Sequence, residues 1–424
     1  MRRLVVWWDD RPVGELTQDD GGDLGFSYGE EWLGDERTPA VSASLPKRPE
    51  PFSRRECRPF FGGLLPEETQ RRAAAQALGI SAANDFAMLD CLGGEVAGAL
   101  QLLPPGERPE AAAGPWEPMP LDEGALLRML DALPARPLLA GEGGLRLSLA
   151  GAQSKVPVVL VEGAVALSLP GQPTTHILKP AIPRFEATTE NEAFAMRLAA
   201  AVGLNVAAVD PRVVRTPNGE PRTFLLVARY DRIETAGQGT RRLHQEDVCQ
   251  ALGIPVERKY QSEGGPSLEQ CFAVLRRVSA RSAADVLRLL DAVIFNAVIG
   301  NADAHGKNFS ILYDEAGPAL APLYDLLSTV VYPELSPKFA MKIGGQTRLE
   351  DLDAQAWSDF ARKAELGFPL VRRRVGELAS AIVGAADAAC EGLAGLGLED
   401  RALARFSALV RTRAGICLSG LSRH

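Results

Sequence analysis

The stretch that most constrains this chain is residues 291–328, DAVIFNAVIGNADAHGKNFSILYDEAGPALAPLYDLLS. An apolar run with helical spacing leads to Gly300, and a polar cluster follows at once. A β-prone segment at 309–313 comes next, and after a turn a second short segment ends at Tyr324 and Asp325. We therefore expect a buried helix that delivers polar side chains to a loop beside a hairpin.

The polar side chains of this stretch have the types and the spacing that metal-assisted phosphoryl transfer needs. Protein kinases carry an Asp, four residues and an Asn in the catalytic loop, with a later Asp that binds Mg²⁺. Asp303 and Asn308 have this spacing, and Asp325 follows the predicted hairpin. We predict Asp303 as the general base and Asn308 with Asp325 as the metal ligands. The alternative is a polar helix C-terminus followed by an ordinary hairpin with Asx turns.

A second stretch, GEGGLRLSLAGAQSKVPVVLV at 141–161, places a glycine-rich loop before a β-branched strand at 156–161. Its glycines include Gly143, Gly144 and Gly151. Kinases cover nucleotide phosphates with a loop of this kind. It is not a Walker A loop, because no Gly-Lys-Ser/Thr opens a helix here. A glycine-rich hairpin that binds nothing is the alternative.

Two further segments fit nucleotide binding. The strand at 175–181 carries Lys179, which can hold the α- and β-phosphates, and the helix after it contains Glu192. Glu192 either pairs with Lys179 or completes a capping box with Thr189 as the N-cap. The strand at 223–232 would reach the adenine hinge. The residues predicted there are Ala228, Arg229 and Tyr230, with Asp231 reaching the ribose.

Length and composition restrict the class of protein. With 424 residues the chain has room for two or three domains, and no apolar run approaches a membrane span. Six scattered cysteines without a C-x-x-C pair indicate neither a disulfide framework nor a zinc site. A net charge of −8 argues against extensive contact of this chain with a nucleic-acid backbone. We expect a cytoplasmic protein with no membrane contact.

The domain prediction is a small α/β domain at 1–103, a proline-rich linker at 104–121, a nucleotide-binding part at 122–232 and a helical part at 233–424. The remaining predicted elements are a hairpin at 4–9 and 12–17, strands at 24–28, 98–103 and 164–169, helices opening at Pro66 and at Asp122, and helices at 81–92, 242–253, 283–300, 351–365, 368–394 and 399–414. The helix at 242–253, with Gln245, Glu246 and Asp247 in its first turn, is expected to pack in the helical part.

The motifs NADAHGKNFS and LYDLLS resemble the HipA family, the kinase toxins of bacterial type II toxin–antitoxin pairs. LSLAGAQSK is similar to the family's phosphate loop, and F-x-G-L-L-P-E at 61–67 and R-Y-D-R at 229–232 also match. The resemblance covers nearly the whole chain. It implies an α+β, two-lobed, protein-kinase-like fold with a small N-terminal α/β domain and an all-helical C-terminal part.

The same resemblance implies Mg²⁺- and ATP-dependent phosphorylation of a Ser or Thr hydroxyl, with Ser148 as an autophosphorylation site that pulls the loop out when modified. The nucleotide-contacting residues it implies are Ala150, Gly151, Ala152, Gln153, Ser154, Lys155, Lys179, His305, Gly306, Lys307 and Tyr324. Ser154 departs from the family, which usually carries Glu or Asp there.

The partners implied are a HipB-like helix-turn-helix antitoxin, which would carry most of the DNA contact, and a translation component such as an aminoacyl-tRNA synthetase as target. Two other functions remain open at this point. One is a non-catalytic nucleotide-binding partner of a DNA-binding antitoxin. The other is a small-molecule kinase with a similar Asp and Asn layout.

Overall fold

The computed structural model describes residues 1–109, 118–141, 146–169, 171–235 and 239–423. They group into two compact units, and each unit is made of three separate stretches of the chain. The first comprises Met1–Pro180, Val227–Glu257 and Leu312–Asp314, and the second comprises Ala181–Leu226, Arg258–Ile311 and Glu315–His424. Part of the predicted linker (110–117) and the predicted loop glycines Gly143 and Gly144 lie outside the described residues.

The strands and helices up to residue 228 are β1 (Arg2–Trp8), β2 (Arg11–Gln18), β3 (Leu24–Tyr28), α1 (Glu30–Gly34), α2 (Arg54–Gly63), α3 (Glu68–Leu78), α4 (Asp85–Leu92), β4 (Leu100–Leu103), α5 (Glu123–Ala132), β5 (Val156–Val161), β6 (Ala164–Ala166), β7 (His176–Pro180), α6 (Thr188–Ala201), β8 (Val209–Arg215) and β9 (Pro221–Ala228). Those after it are β10 (Arg232–Thr235), β11 (Gly239–Arg242), β12 (His244–Asp247), α7 (Val248–Ala251), α8 (Leu268–Val278), α9 (Ser282–Ile299), β13 (Ser310–Asp314), β14 (Gly317–Leu320), α10 (Ala354–Lys363), α11 (Phe368–Glu391) and α12 (Asp400–Gly420).

The N-terminal part of the first unit is a sheet with strand order β3–β2–β1–β4, against which α2 to α4 pack. All neighbouring strands are antiparallel, and Leu4 of β1 faces Leu16 of β2. Alternate side chains of β3 are buried, as period-two patterning requires. The predicted hairpin and the strand at 24–28 are confirmed, and the closing strand is confirmed over its last four residues.

The helix predicted to open at Pro66 begins later than expected. Its first residue is Glu68, with Glu67 at the N-cap. Pro66 is extended instead and forms a parallel bridge with Gly151, where the Glu67 amide donates to the Gly151 carbonyl at 3.2 Å. This part of the prediction is wrong, because a contact with a residue 85 positions away outweighs the local preference of Pro for a first helical turn.

The remainder of the first unit contains α5, an antiparallel set of strands in the order β6–β5–β7, and the β10–β11 ribbon. Asp122 caps α5 as predicted, accepting from the Ala125 amide at 2.6 Å. The strand predicted at 164–169 ends at Ala166.

The prediction of a helix at 242–253 is wrong for the first half of this segment. Residues 244–247 form β12, and only Val248–Ala251 are helical, with Asp247 as the N-cap. The segment belongs to the first unit. Its strand conformation carries the buried Glu246 to Ser42 and Ala43, which lie some 200 positions earlier in the chain.

The second unit is built around α9, which is buried along most of its length. The predicted helix at 283–300 is thus confirmed, and so is the helical C-terminal region, where α10 to α12 follow one another. Among the described residues no helix is long and apolar enough to cross a membrane.

Two local predictions in the second unit are wrong. Helix α6 begins at Thr188 after Ala187, which has a left-handed φ of 53° and no side-chain cap, so Thr189 is not an N-cap. The Thr188 hydroxyl instead accepts from the Ile182 amide at 2.9 Å. The second segment of the hairpin is predicted to end at Tyr324 and Asp325, but β14 ends at Leu320; Asp325 still follows the hairpin, as expected.

Candidate active site

The loop that carries the predicted base starts where α9 is forced to end. Gly300 has a left-handed φ of 79°, and its amide donates to the Asn296 carbonyl. The next side chain, Asn301, donates to Asn296 Oδ1 at 2.8 Å and lies 3.4 Å from the Asp325 carbonyl oxygen. Its Oδ1 accepts from the Asp303 amide at 3.2 Å. Asn301 therefore holds the start of the loop and was not assigned a role from the sequence.

Asn308 and Asp325 lie side by side, as their predicted shared role requires. Asn308 Nδ2 is 3.1 Å from Asp325 Oδ2, and Asn308 Oδ1 accepts from the His305 amide at 3.1 Å. Asp325 has a left-handed φ of 58°, a conformation that non-glycine residues adopt rarely and mostly where surrounding contacts impose it. The pair brings a carboxylate and a carboxamide group into direct contact in a half-buried position.

Asp303 is exposed, unlike the residues on either side of it in the loop. The Tyr260 hydroxyl donates to Asp303 Oδ1 at 2.7 Å, and the Tyr260 ring meets the His305 ring edge-on with centroids 5.3 Å apart. Tyr260 thus orients the predicted base. The sequence carried no signal for it, because it is 43 positions from Asp303.

The turn between the predicted base and Asn308 is a short 3₁₀ helix, Gly306–Asn308. The Tyr324 hydroxyl donates to the Lys307 carbonyl at 2.5 Å and is 2.9 Å from Ser310 Oγ. Tyr324 therefore fixes the backbone of this turn from the position next to Asp325. All the residues predicted for catalysis and metal binding lie in the second unit, where Asn308 and Asp325 are in direct contact.

The predicted phosphate loop lies in the first unit. Ser148 is fully buried, with its hydroxyl donating to the Leu64 carbonyl at 2.7 Å and its amide donating to the Glu95 carbonyl. Lys155 Nζ donates to the Ala150 carbonyl at 2.7 Å. Gly151 has a φ of 118°, a backbone conformation that residues with side chains rarely adopt, so glycine is favoured at this position.

Other side chains of this loop make local hydrogen bonds. Gln153 Nε2 donates to the Pro180 carbonyl at 3.3 Å, and the Ser154 hydroxyl donates to Gln70 Oε1 at 3.3 Å. Ser154 thus replaces the expected carboxylate with a neutral contact to α3. Lys179 is buried near the end of β7.

The predicted hinge, Ala228 to Asp231, also belongs to the first unit. The Arg229 amide donates to the Thr175 carbonyl at 2.9 Å. The Asp231 carboxylate is buried and accepts from the Arg229 guanidinium and from the Gly98 amide at 2.7 Å. Burial alone raises the pKa of Asp231, but the guanidinium groups of Arg229 and Arg232 outweigh it, and the pKa lies well below its usual range. This geometry favours a structural role for Asp231 over the predicted contact with a ribose.

The residues present fit the metal ion and the nucleotide that phosphoryl transfer would require. Mg²⁺ prefers hard oxygen ligands, and the Asn308–Asp325 pair offers a carboxylate and a carboxamide oxygen. The described residues hold no cluster of three or more His, Cys, Asp or Glu side chains that would suit another metal. In the first unit the glycine-bearing loop with Lys155 matches the cationic, backbone-rich surroundings that nucleotide phosphates require.

Comparison with known proteins defines the class. One chain of a complex of HipA, HipB and operator DNA from Shewanella oneidensis superimposes with a TM-score of 0.83 and 26% identity, over 97% of this chain and 96% of that chain. The predicted class is confirmed: the protein has an α+β, protein-kinase-like fold.

The sequence comparisons define the family. The HipA N-terminal domain matches residues 4–103, and the HipA-like C-terminal domain matches residues 147–390. "Putative kinase Y4mE" of Sinorhizobium fredii is 62% identical over 417 residues, 98% of each chain. "Serine/threonine-protein kinase toxin HipA" of Shewanella oneidensis is 31% identical over 296 residues, 67% of this chain and 66% of that protein. The chain belongs to the HipA family, as its motifs predicted.

Proposed function

We propose that this protein is a Mg²⁺- and ATP-dependent serine/threonine protein kinase that acts as the toxin of a type II toxin–antitoxin pair. The observation that carries the proposal is the contact between Asn308 and Asp325, together with the exposed Asp303 on the loop that leads to Asn308. A carboxylate and a carboxamide for metal binding, with a solvent-accessible carboxylate to take the hydroxyl proton, are what transfer to a protein hydroxyl needs.

The roles follow from the surroundings of each side chain. Asp303, held by Tyr260, accepts the proton of the incoming hydroxyl. Asn308 and Asp325 hold Mg²⁺, which neutralises charge on the phosphates when bound. Because catalysis of this kind rests on positioning and charge, loss of Asp325 is expected to lower the rate about a thousandfold or more.

In the first unit, nucleotide binding is assigned to the loop from Ala150 to Lys155, to Lys179 and to the hinge backbone at 228–230. His305, Gly306, Lys307 and Tyr324 in the second unit are further proposed nucleotide contacts. Support for the loop comes from Gly151 and the Lys155 ammonium that lies against it. The assignment predicts that Lys155→Met and Lys179→Met raise the KM for ATP.

The burial of Ser148 supports its proposed role in self-inactivation. The Ser148 hydroxyl is fully enclosed and bonded to the Leu64 carbonyl. A phosphate on this oxygen would bring a charge of about −1.5 to −2 into an apolar environment. The buried position cannot hold that charge, so the modified loop must leave it, and the loop would no longer line the phosphates.

The proposed partners are a HipB-like DNA-binding antitoxin and a translation component, such as an aminoacyl-tRNA synthetase, as the phosphorylated target. The antitoxin is supported by the similarity to a chain solved with HipB and operator DNA. A net charge of −8 is consistent with the antitoxin carrying most of the DNA contact.

The test is intact-protein mass and phosphopeptide mapping after incubation with Mg²⁺-ATP. The wild type is expected to gain a phosphate at Ser148, which EDTA, Asp303→Asn and Asp325→Asn each abolish. The matched control is Asp351→Asn, which makes the same change at an exposed residue of the second unit and should phosphorylate normally.

Other results would redirect the assignment. ATP binding without turnover would favour the non-catalytic partner of an antitoxin. Phosphate transfer to small hydroxylated acceptors but not to protein would favour a small-molecule kinase. Failure to bind ATP at all would contradict the proposal.

A further inference from the structure

The carbonyl of Gly300, the last residue before the catalytic loop, is the focus of a cluster of hydrogen bonds from one short segment. It accepts from the amide of Thr329 at 3.0 Å, from the amide of Val330 at 3.2 Å and from the Thr329 hydroxyl at 3.2 Å. The same hydroxyl accepts from the Ala302 amide at 2.8 Å. One side chain thus binds both ends of the Gly300–Ala302 turn.

The Thr329 hydroxyl makes both of these bonds through a single oxygen atom. It has one proton to donate and lone pairs to accept, and Thr329 uses both functions while buried. Valine has nearly the same shape and neither function. Its substitution would remove the 2.8 Å acceptor of the Ala302 amide and leave that amide with its 3.1 Å bond to the Gly300 carbonyl, so we expect part of the cost of a lost buried hydrogen bond.

The turn held by Thr329 leads directly into Asp303. The Ala302 carbonyl accepts from the Ala340 amide at 2.8 Å, so Ala302 is bound through both of its backbone polar groups. Asp303 is the next residue, and its own amide is held by Asn301. The backbone position of the proposed base therefore depends on where Thr329 stands.

The proposed metal ligand, Asp325, is four positions before Thr329 in the chain. The intervening Ser328 is bound at its amide and its carbonyl by the Asn191 side chain, each at 2.8 Å. The segment is thus anchored to α6 at Ser328 and to the catalytic loop at Thr329.

From this geometry we propose that Thr329 is a positioning residue, whose hydroxyl sets the spacing between the base Asp303 and the metal-binding segment that starts at Asp325. The inference rests on the proposed kinase function, since the spacing matters only if both residues act in one reaction. Thr329 does not itself touch the reacting atoms. Misplacement of a catalytic group by about 1 Å can cost on the order of a hundredfold in rate.

The test compares Thr329→Val with Thr329→Ser, and uses Thr412→Val as the matched control. Thr412 is exposed and its hydroxyl bonds only within α12, to the Ala408 carbonyl. We expect Thr329→Val to lower kcat between about tenfold and a hundredfold with little change in the KM for ATP. Thr329→Ser, which keeps the hydroxyl, should stay within about threefold of wild type, and so should the control.

A second readout, independent of activity, is amide hydrogen exchange of peptides covering 300–305. Thr329→Val should exchange faster there than wild type, Thr329→Ser and the control. If Thr329→Val does not fold, Thr329→Ala replaces it in both measurements, since its backbone bonds to Gly300 remain.

Unchanged exchange in the hydroxyl-deleted variants would overturn the proposal, and so would full kcat despite faster exchange. A failure of Thr329→Ser to restore kcat would also overturn it. If the wild type transfers no phosphate, the proposed function fails, and the positioning role, which rests on that function, is overturned with it. Exchange then still reports whether the hydroxyl holds the turn, so the two failures are distinguished.

Discussion

Replacing Glu95 with glutamine should remove the negative centre of a buried charge network in the first unit. The Glu95 side chain is 2% exposed and lies 3.1, 2.8 and 2.7 Å from the guanidinium groups of Arg229, Arg232 and Arg242. It also accepts from the amide and the hydroxyl of Thr174. Glutamine has almost the same volume, so the substitution removes charge without opening a cavity.

Glu95 is one of two carboxylates in this network: Arg229 and Arg232 also pair with Asp231, at 2.9 and 3.0 Å, so the charge left uncompensated is chiefly that of Arg242. Removing one member of a buried ion pair costs about 3–5 kcal/mol, because the remaining charge is left uncompensated. For a unit of this size, about 2–4 °C per kcal/mol predicts a fall in Tm of roughly 6–20 °C. We expect a value in this range for Glu95→Gln, measured by calorimetry as the melting of the first unit.

The pH dependence of this effect has a definite sign. Burial alone raises the pKa of Glu95, but attraction to Arg232, Arg242 and Arg229 outweighs it and lowers the pKa to about 2. Since the folded pKa lies below the unfolded value, the stabilisation is complete above about pH 4.5 and is lost as pH falls towards 2. The difference in Tm between wild type and Glu95→Gln should therefore narrow below about pH 4.5.

The control is Glu107→Gln, the same change at a side chain that is 59% exposed and 3.6 Å from Arg146. A surface pair of this kind contributes at most about 1 kcal/mol. The argument that the buried charges require their partner would be refuted if Glu95→Gln and Glu107→Gln had equal Tm values. It would also be refuted if Glu95→Gln lowered the free energy of unfolding by less than about 1 kcal/mol.

Two further predictions concern single residues. Burial raises the pKa of Glu246 to about 7, so the folded state retains a proton that the unfolded state releases above about pH 4.5. As the pH rises from about 5 to 7, the Tm of the wild type should therefore fall relative to that of Glu246→Gln. A difference in Tm that does not change over this pH range would contradict the prediction. At Gly300 an added Cβ would overlap Val330 and meet a left-handed φ, whereas Gly345 has a φ of 94° with nothing within 4 Å. Gly300→Ala should lower the free energy of unfolding well beyond the roughly 1–2 kcal/mol expected of the backbone strain in Gly345→Ala, and equal losses would show that the close approach is unimportant.

Local patterns in the sequence were sufficient for the elements whose conformation depends on nearby residues. The 3.6-residue period and the terminal glycine of α9 predicted that helix and its end, because burial of one face and a left-handed C-cap are short-range requirements. The spacing of Asp303 and Asn308 predicted their shared loop, and the NADAHGKNFS and LYDLLS motifs predicted the HipA family. The family and the fold class are confirmed, whereas the roles of the site residues stay predictions.

The tertiary structure decided what depends on residues distant in the chain. Residues 244–247 are a strand and not a helix, because Glu246 binds Ser42 and Ala43 in the first unit. Only the folded chain brings Tyr260 to Asp303 and Thr329 to Gly300, since no periodicity or motif records hydrogen bonds across 43 or 29 positions. The sequence by itself determined the chemistry available to this protein. Long-range packing and hydrogen bonding decided which residues position the side chains of the candidate site. The interaction energies between distant segments contribute only after the folded chain has brought those segments together.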